Sequence, residues 1–334
     1  MRKPVAVCGF LLVAACTGGP AGPPRAQDTP PSTQAATAGP VVAVVRRSGG
    51  LELFRVAAGR YELQRFATVP GPAGAKAVDV SVSAGARPTV CAVWERGDES
   101  TLTCHAGGSG PGRFVTTAPA DRMSAIAVSH GGGSVAWLVR NVPGDPDLYH
   151  VRPAGGRAGA ATHIPAFGAS GRPDGDEAAL QVNGLAWSGE DTLVVSHAYD
   201  ADVNGSLAVV PVGGAPRGWA GGPNVPSAAD SILGRAISSS AGIDLLAVQQ
   251  GPGAAGDAPP RAVRLDIRSG KVLAVVAGAL PGRSLESVSG GPGGVLYRTD
   301  GDSGPRTFWR WPGDDKGRPL EGLPADSATV VAQP

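Results

Sequence analysis

Beyond residue 15 the chain has no apolar run long enough to cross a bilayer as a helix, which takes about 20 residues. Aromatic residues make up only 5% of it, and no stripe of them alternates with basic residues as nucleic-acid binding requires. The net charge of +1 points to no polyanionic or polycationic partner. Five histidines (His105, His130, His150, His163 and His197) show no metal-ligand spacing, and no cofactor is expected from them. No Walker-type GK[ST] occurs, and no G-x-S-x-G nucleophile turn follows a strand. Helical periodicity is scarce as well, because 51 glycines and 31 prolines punctuate the chain. What remains is short runs of Val, Leu, Ala and Thr between Gly/Pro clusters, which indicate an all-β protein.

The first residues carry an address. Arg2 and Lys3 precede the apolar stretch Val5 to Ala15, which is too short to span stably. It ends in Val13-Ala14-Ala15-Cys16, which resembles a bacterial lipobox. That resemblance implies a signal peptide over 1–15, diacylglycerol on Cys16 and a lipid anchor on the outer side of the cytoplasmic membrane; the alternative is an ordinary secretory signal with a stray cysteine, and a monomer is expected. Residues 17–40 are almost all Gly, Pro, Ala, Ser, Thr and Gln, too polar to fold alone. As a coil they reach about 25–30 Å. The domains expected are therefore a signal peptide (1–15), a lipidated tether (16–40) and one folded unit (41–334).

That unit repeats about every fifty residues, a period of propellers and solenoids. DVSVSAGARPTVCAVWE, AIAVSHGGGSVAWLVR, GLAWSGEDTLVVSHA, RAISSSAGIDLLAVQQ and ESVSGGPGGVLYRTD align on Ser83, Ser129, Ser188, Ser240 and Ser289. Each serine is followed by turn residues and an apolar strand, then a third strand and a weaker fourth. Four strands per unit make a β-propeller blade. The units resemble TolB-like and WD40-like propeller repeats, and the last third is similar to exported actinobacterial propeller proteins without a known activity. The first folded segment supplies three strands, and SATVVAQ near the C-terminus can complete it as the innermost. Six blades follow, blade one closed by the C-terminal strand; seven is the competing count.

Cys91 and Cys104 flank a two-residue turn at Gly97-Asp98. Counting outward from that turn pairs them directly, at a non-hydrogen-bonded position where Cα atoms approach to about 4.5 Å. A cross-strand disulfide is expected, against the alternative of two buried thiols.

Blade topology also sorts the charges. Turns between second and third strands hold Asp98, Asp145, Asp147, Asp257, Asp300 and Asp302, so that rim is expected to be acidic and to face a partner. The opposite rim collects Arg60, Arg113, Arg217, Lys271 and Arg318 and is expected to face the membrane. Asp200-Ala201-Asp202-Val203-Asn204-Gly205 opens like a calcium loop. Position nine, where calcium loops of propeller hairpins carry Asp, is Ala208, so Asp200, Asp202 and Asn204 would hold calcium weakly if at all.

Other motifs dissolve into turns. GDSGP (301–305) lacks a glycine of the serine-protease motif and any partnering base; His130-Gly131-Gly132-Gly133 fits a turn between first and second strands. Trp94, Trp137 and Trp187 recur where blades pack together. The innermost strands offer only Asp79, Arg235 and Glu286 as charges, thin for catalysis. The expected function is a non-enzymatic module binding an envelope protein or small ligand; the alternative is a propeller hydrolase or lactonase working at the central channel.

Overall fold

The computed structural model of the protein describes residues 39–108, 110–120, 122–140, 147–151, 162–163, 181–198, 206–212, 217–218, 232–240, 244–249, 260–266, 271–278 and 280–334. They form six four-stranded antiparallel sheets. Sheet one is ordered β24 (Ser327–Ala332), β1 (Val41–Arg46), β2 (Leu51–Val56), β3 (Leu63–Val69). Sheet two runs β4 (Lys76–Val82), β5 (Val90–Arg96), β6 (Glu99–His105), β7 (Arg113–Pro119). Sheet three runs β8 (Met123–Val128), β9 (Val135–Val139), β10 (Asp147–Val151), β11 (Thr162–His163). Sheet four holds β12 (Gln181–Ser188), β13 (Thr192–Ala198), β14 (Ser206–Pro211) and β15 (Arg217–Gly218). Sheet five holds β16 (Ile232–Ser240), β17 (Asp244–Gln249), β18 (Arg261–Asp266) and β19 (Val272–Ala277). Sheet six holds β20 (Arg283–Gly291), β21 (Gly294–Gly301), β22 (Arg306–Arg310) and β23 (Arg318–Pro319).

The first strand of each sheet touches the first strand of the next: β4, β8, β12, β16, β20, β24, and back to β4. This is an all-β propeller. The expected pairing of the C-terminal strand is present, with Ala43 opposite Val331 and Val44 opposite Val330.

Core forms between sheets, not within one. Val41, Ala43 and Val45 pack with Val80, Val90 and Trp94 of sheet two, whereas Val42 and Val44 pack with Leu296 and Trp309 of sheet six. Both faces of β1 are thus buried, which is why VVAVV is continuously apolar and does not alternate. Similar clusters join every other neighbouring pair of sheets among the described residues. Trp94, Trp137 and Trp187, each at most 3% exposed, lie in them as expected.

The β5–β6 register runs from Arg96↔Glu99 out to Cys91↔Cys104, and the two cysteines form a disulfide with Cα atoms 4.0 Å apart. Gly97 carries φ 59°, the left-handed value a primed hairpin turn demands at its first position.

The expected separation of charge between rims is not what the described residues form. Call lower the rim with the turns between second and third strands, and upper the opposite one. Asp98 and Asp302 sit in lower-rim turns and Asp300 near the end of β21, but Lys76, Arg122, Arg140 and Arg283 occupy the same rim. The upper rim mixes Glu190, Asp191, Asp314 and Asp315 with Arg60, Lys316 and Arg318. Aspartate suits turns on either rim. Arginine is drawn to strand ends on either rim because its fork satisfies loose carbonyls: Arg96 donates to Ala73 O, and Arg283 to Thr299 O. Asp145, Asp257, Asp200, Asp202, Asn204 and Cys16 lie outside the described residues, and Asp147 is placed only as the first residue of β10.

Candidate functional site

Each innermost strand is irregular near the lower rim. Pairing skips a residue between Ala77 and Asp79, Met123 and Ala125, Val182 and Gly184, Leu285 and Ser287, and shifts between β24 and β1 at Val45/Arg46. A longer shift separates Ile232 and Ile237 in β16. Such bulges bend a strand and re-aim its side chains. Here they recur at one level around the axis, and Glu286 is itself a skipped residue.

The innermost strands enclose an axial cavity of about 450 Å³, within the range of small-molecule sites. Segments of β4, β8, β12, β20 and β24 form its wall, and most of the lining is small or aliphatic. Its charged or titratable lining residues, among those described, are Asp79, His130, Glu286 and Arg298.

Three of the wall's polar groups hold neighbouring sheets together. Ser81 Oγ accepts from the Val128 N–H at 3.0 Å, across sheets two and three. Trp187 Nε1 donates to Ala127 O at 3.0 Å, across sheets three and four. Ser289 Oγ accepts from the Ala332 N–H at 2.9 Å, across sheets six and one. At the upper end the Ala84 N–H donates to His130 O at 3.0 Å, and the Gly131 N–H to Glu190 Oε1 at 2.6 Å. Burial pushes the His130 imidazole below its ordinary 6.5, against the pull of the Glu190 carboxylate, so it is neutral at neutral pH.

Arg298 reaches from the second strand of sheet six. Its Nη1 donates to Ala328 O at 2.7 Å, and its Nε lies 3.1 Å from Glu286 Oε2. The inventory of inner-strand charges missed it because it belongs to β21. The available signal is an arginine interrupting the apolar strand GVLYRTDG. Of the expected charges, Asp79 and Glu286 do line the cavity, and Arg235 is placed on β16 as backbone only.

The turn motifs resolve as turns. In GDSGP, Ser303 Oγ accepts from Arg283 Nη1 at 2.9 Å, and the Gly304 N–H closes on Gly301 O at 2.7 Å. In His130-Gly131-Gly132-Gly133, the Gly132 N–H closes on Ser129 O at 2.9 Å with φ 71°. His105 is buried in a chain that starts at Trp94 Nε1, which donates to Thr103 Oγ1 at 2.8 Å. Thr103 Oγ1 lies 3.1 Å from His105 Nε2, and His105 Nδ1 lies 2.9 Å from Gly110 O. A carbonyl only accepts, so Nδ1 carries the proton and Nε2 accepts from the threonine hydroxyl. Among the described residues no three His, Cys, Asp or Glu side chains group as metal ligands.

Six four-stranded sheets around an axial cavity place the described residues in the class of β-propellers. The fold is shared with TolB from Acinetobacter baumannii, at a TM-score of 0.56 and 14% identity over 90% of this chain and 67% of that one. It is also shared with a chain of the nidogen/laminin complex, at a TM-score of 0.54 and 10% identity over 87% of this chain and 96% of that one. No family model and no curated protein sequence matches the chain. At these identities the likeness is one of fold.

Proposed function

We propose that the protein is a lipid-anchored extracytoplasmic propeller that binds a small envelope ligand, or a segment of an envelope protein, in its axial cavity without transforming it. One observation carries this reading. The hydroxyls of Ser81 and Ser289 and the indole of Trp187, all on the wall, are hydrogen-bonded across sheet boundaries. A nucleophile needs a base within reach, and these serine oxygens accept hydrogen bonds from backbone amides. Their role is to hold a rigid tube open.

In this reading the six sheets are the complete set of blades, and Cys16 carries the lipid. Asp200, Asp202 and Asn204 fall in sequence between β13 and β14 and would bind calcium weakly in this reading. The likeness to a chain of the nidogen/laminin complex, a complex between proteins, favours binding as the use of the fold.

A photo-crosslinking side chain at Thr329, on the cavity wall, tests the proposal in native membranes. Capture of one defined species is expected there, and none with the same probe at Phe114 on the outer strand β7. Ala328→Trp adds bulk at an exposed cavity residue and should abolish capture. Turnover of a captured small molecule by purified protein would overturn the non-enzymatic reading.

A further inference from the structure

The lower mouth of the cavity contains an unusual juxtaposition. Arg122 immediately precedes β8 and Arg140 immediately follows β9. The Arg140 N–H donates to Arg122 O at 2.8 Å, extending the ladder by one step beyond Met123↔Val139. Two guanidinium-bearing side chains therefore leave the sheet from directly opposite backbone positions. Arg122 is exposed and Arg140 half-buried, and neither makes an ion pair among the described residues. Like charges placed directly opposite are destabilising. Lys76, also exposed, opens the neighbouring innermost strand β4, where Glu95 is its register partner.

These cations stand just outside the cavity. Ala125, three residues along β8 from Arg122, already lines the wall, as does Asp79, three along β4 from Lys76. Three strand residues span about 10 Å.

We propose that this mouth is an anion site, in which Arg122 and Arg140 hold a phosphate or carboxylate group of the ligand that the axial cavity receives. The inference rests on the reading of the cavity as the binding site. An oxyanion between two guanidinium forks gains charge-assisted hydrogen bonds and relieves their repulsion. Deeper on the wall the cation Arg298 is already paired with Glu286 at 3.1 Å, which leaves the mouth arginines to receive an incoming anion. The ligand is thereby oriented, with its anionic group at the lower mouth and its remainder pointing inward.

The full chain is melted with sodium phosphate, sodium malonate or sodium chloride at matched ionic strength. Phosphate or malonate is expected to raise the melting temperature beyond chloride, and the anion with the larger shift names the head group. Arg122→Gln and Arg140→Gln are each expected to weaken the anion's affinity at least tenfold, and the double variant to abolish the shift. Without anion, the double variant should melt at or above the wild type, because only a repulsive pair is lost. No shift beyond chloride, an undiminished shift in the double variant, or a marked fall in its anion-free melting temperature overturns the site. Loss of the anion effect's arginine dependence, with Thr329 capture still blocked by Ala328→Trp, refutes the mouth and leaves the cavity reading intact. Failure of capture at Thr329 refutes the cavity reading.

Discussion

Ser289 Oγ accepts the backbone N–H of Ala332 at 2.9 Å, and both residues are buried. The bond ties the innermost strand of sheet six to the C-terminal strand, at the point where the ring closes. β24 is held to β1 on its other side by a full ladder. Ser289→Ala strands that N–H without a partner, at a cost of about 1–3 kcal/mol. A fall in melting temperature of about 2–6 °C is expected. Ser303→Ala, on an exposed turn, should change stability by no more than about 0.5 kcal/mol. Equal effects of the two substitutions would remove the closing role from Ser289.

The repeat was legible because its marker serines do local work. Ser83 Oγ accepts from the Thr89 N–H at 2.8 Å and Ser129 Oγ from the Ser134 N–H at 3.0 Å, each across the turn from first to second strand. A turn that needs a side-chain acceptor leaves its mark in the sequence. Fourth strands were faint because β11, β15 and β23 are two residues long. The cavity was legible only in part. Asp79 lies on an innermost strand and was found, but Arg298 enters from a second strand through spatial pairing with Ala328, a residue distant in sequence. The skipped position of Glu286 follows from how the strand bends against its neighbour, which its local sequence does not encode. On the lower rim Asp98, Asp300 and Asp302 lie where the blade topology put them, but Lys76, Arg122, Arg140 and Arg283 stand beside them at strand ends, which the turn pattern does not mark.

The disulfide gives a second expectation. Cys91 and Cys104 are 0% and 4% exposed and face the cluster between sheets two and three. Replacing both with alanine removes a cross-link whose loop, 13 residues in separation, corresponds to about 3 kcal/mol in the chain-entropy account. Urea denaturation of the double variant should show about that loss. Because both sulfurs are buried, alkylation after mild reductant should stay low until urea opens the sheet. Ready alkylation in the native state would place the cysteines at the surface.

Acid sensitivity should centre partly on Glu52. Burial pushes its carboxyl up, but hydrogen bonds from Arg65 at 2.8 Å and Arg46 at 3.1 Å outweigh this and hold it below its ordinary 4.5. Asp326, also bonded to Arg46, is shifted the same way. A carboxyl depressed in the folded state adds stability that is complete above its unfolded value and lost as pH falls through the folded one. Glu52→Gln should therefore cost about 1.5–3 kcal/mol near pH 7. The gap to wild type should narrow steadily below about pH 4.5. A gap constant from pH 7 to pH 3, followed by thermal melting, would show that packing and not charge sets the role of Glu52.

Gly294 begins β21 at φ 145°, a backbone conformation that L side chains rarely adopt. A Cβ there would also fall 2.2 Å from Cζ2 of Trp309. Trp309 is 0% exposed and packs between sheets six and one beside Val42, Val44 and Val330, so the ring has little room to retreat. Backbone strain costs about 1–3 kcal/mol, and overpacking about as much again. Gly294→Ala should therefore lower stability by about 2–6 kcal/mol, adding those two terms. Trp309→Phe in the same background makes the terms separable. Removing part of the indole relieves the clash and leaves the strain, so Gly294→Ala should cost less in the Trp309→Phe protein than in the wild type. Equal costs in the two backgrounds, measured by urea denaturation, would assign the whole effect to the backbone and none to the packing of Trp309 at the closing seam.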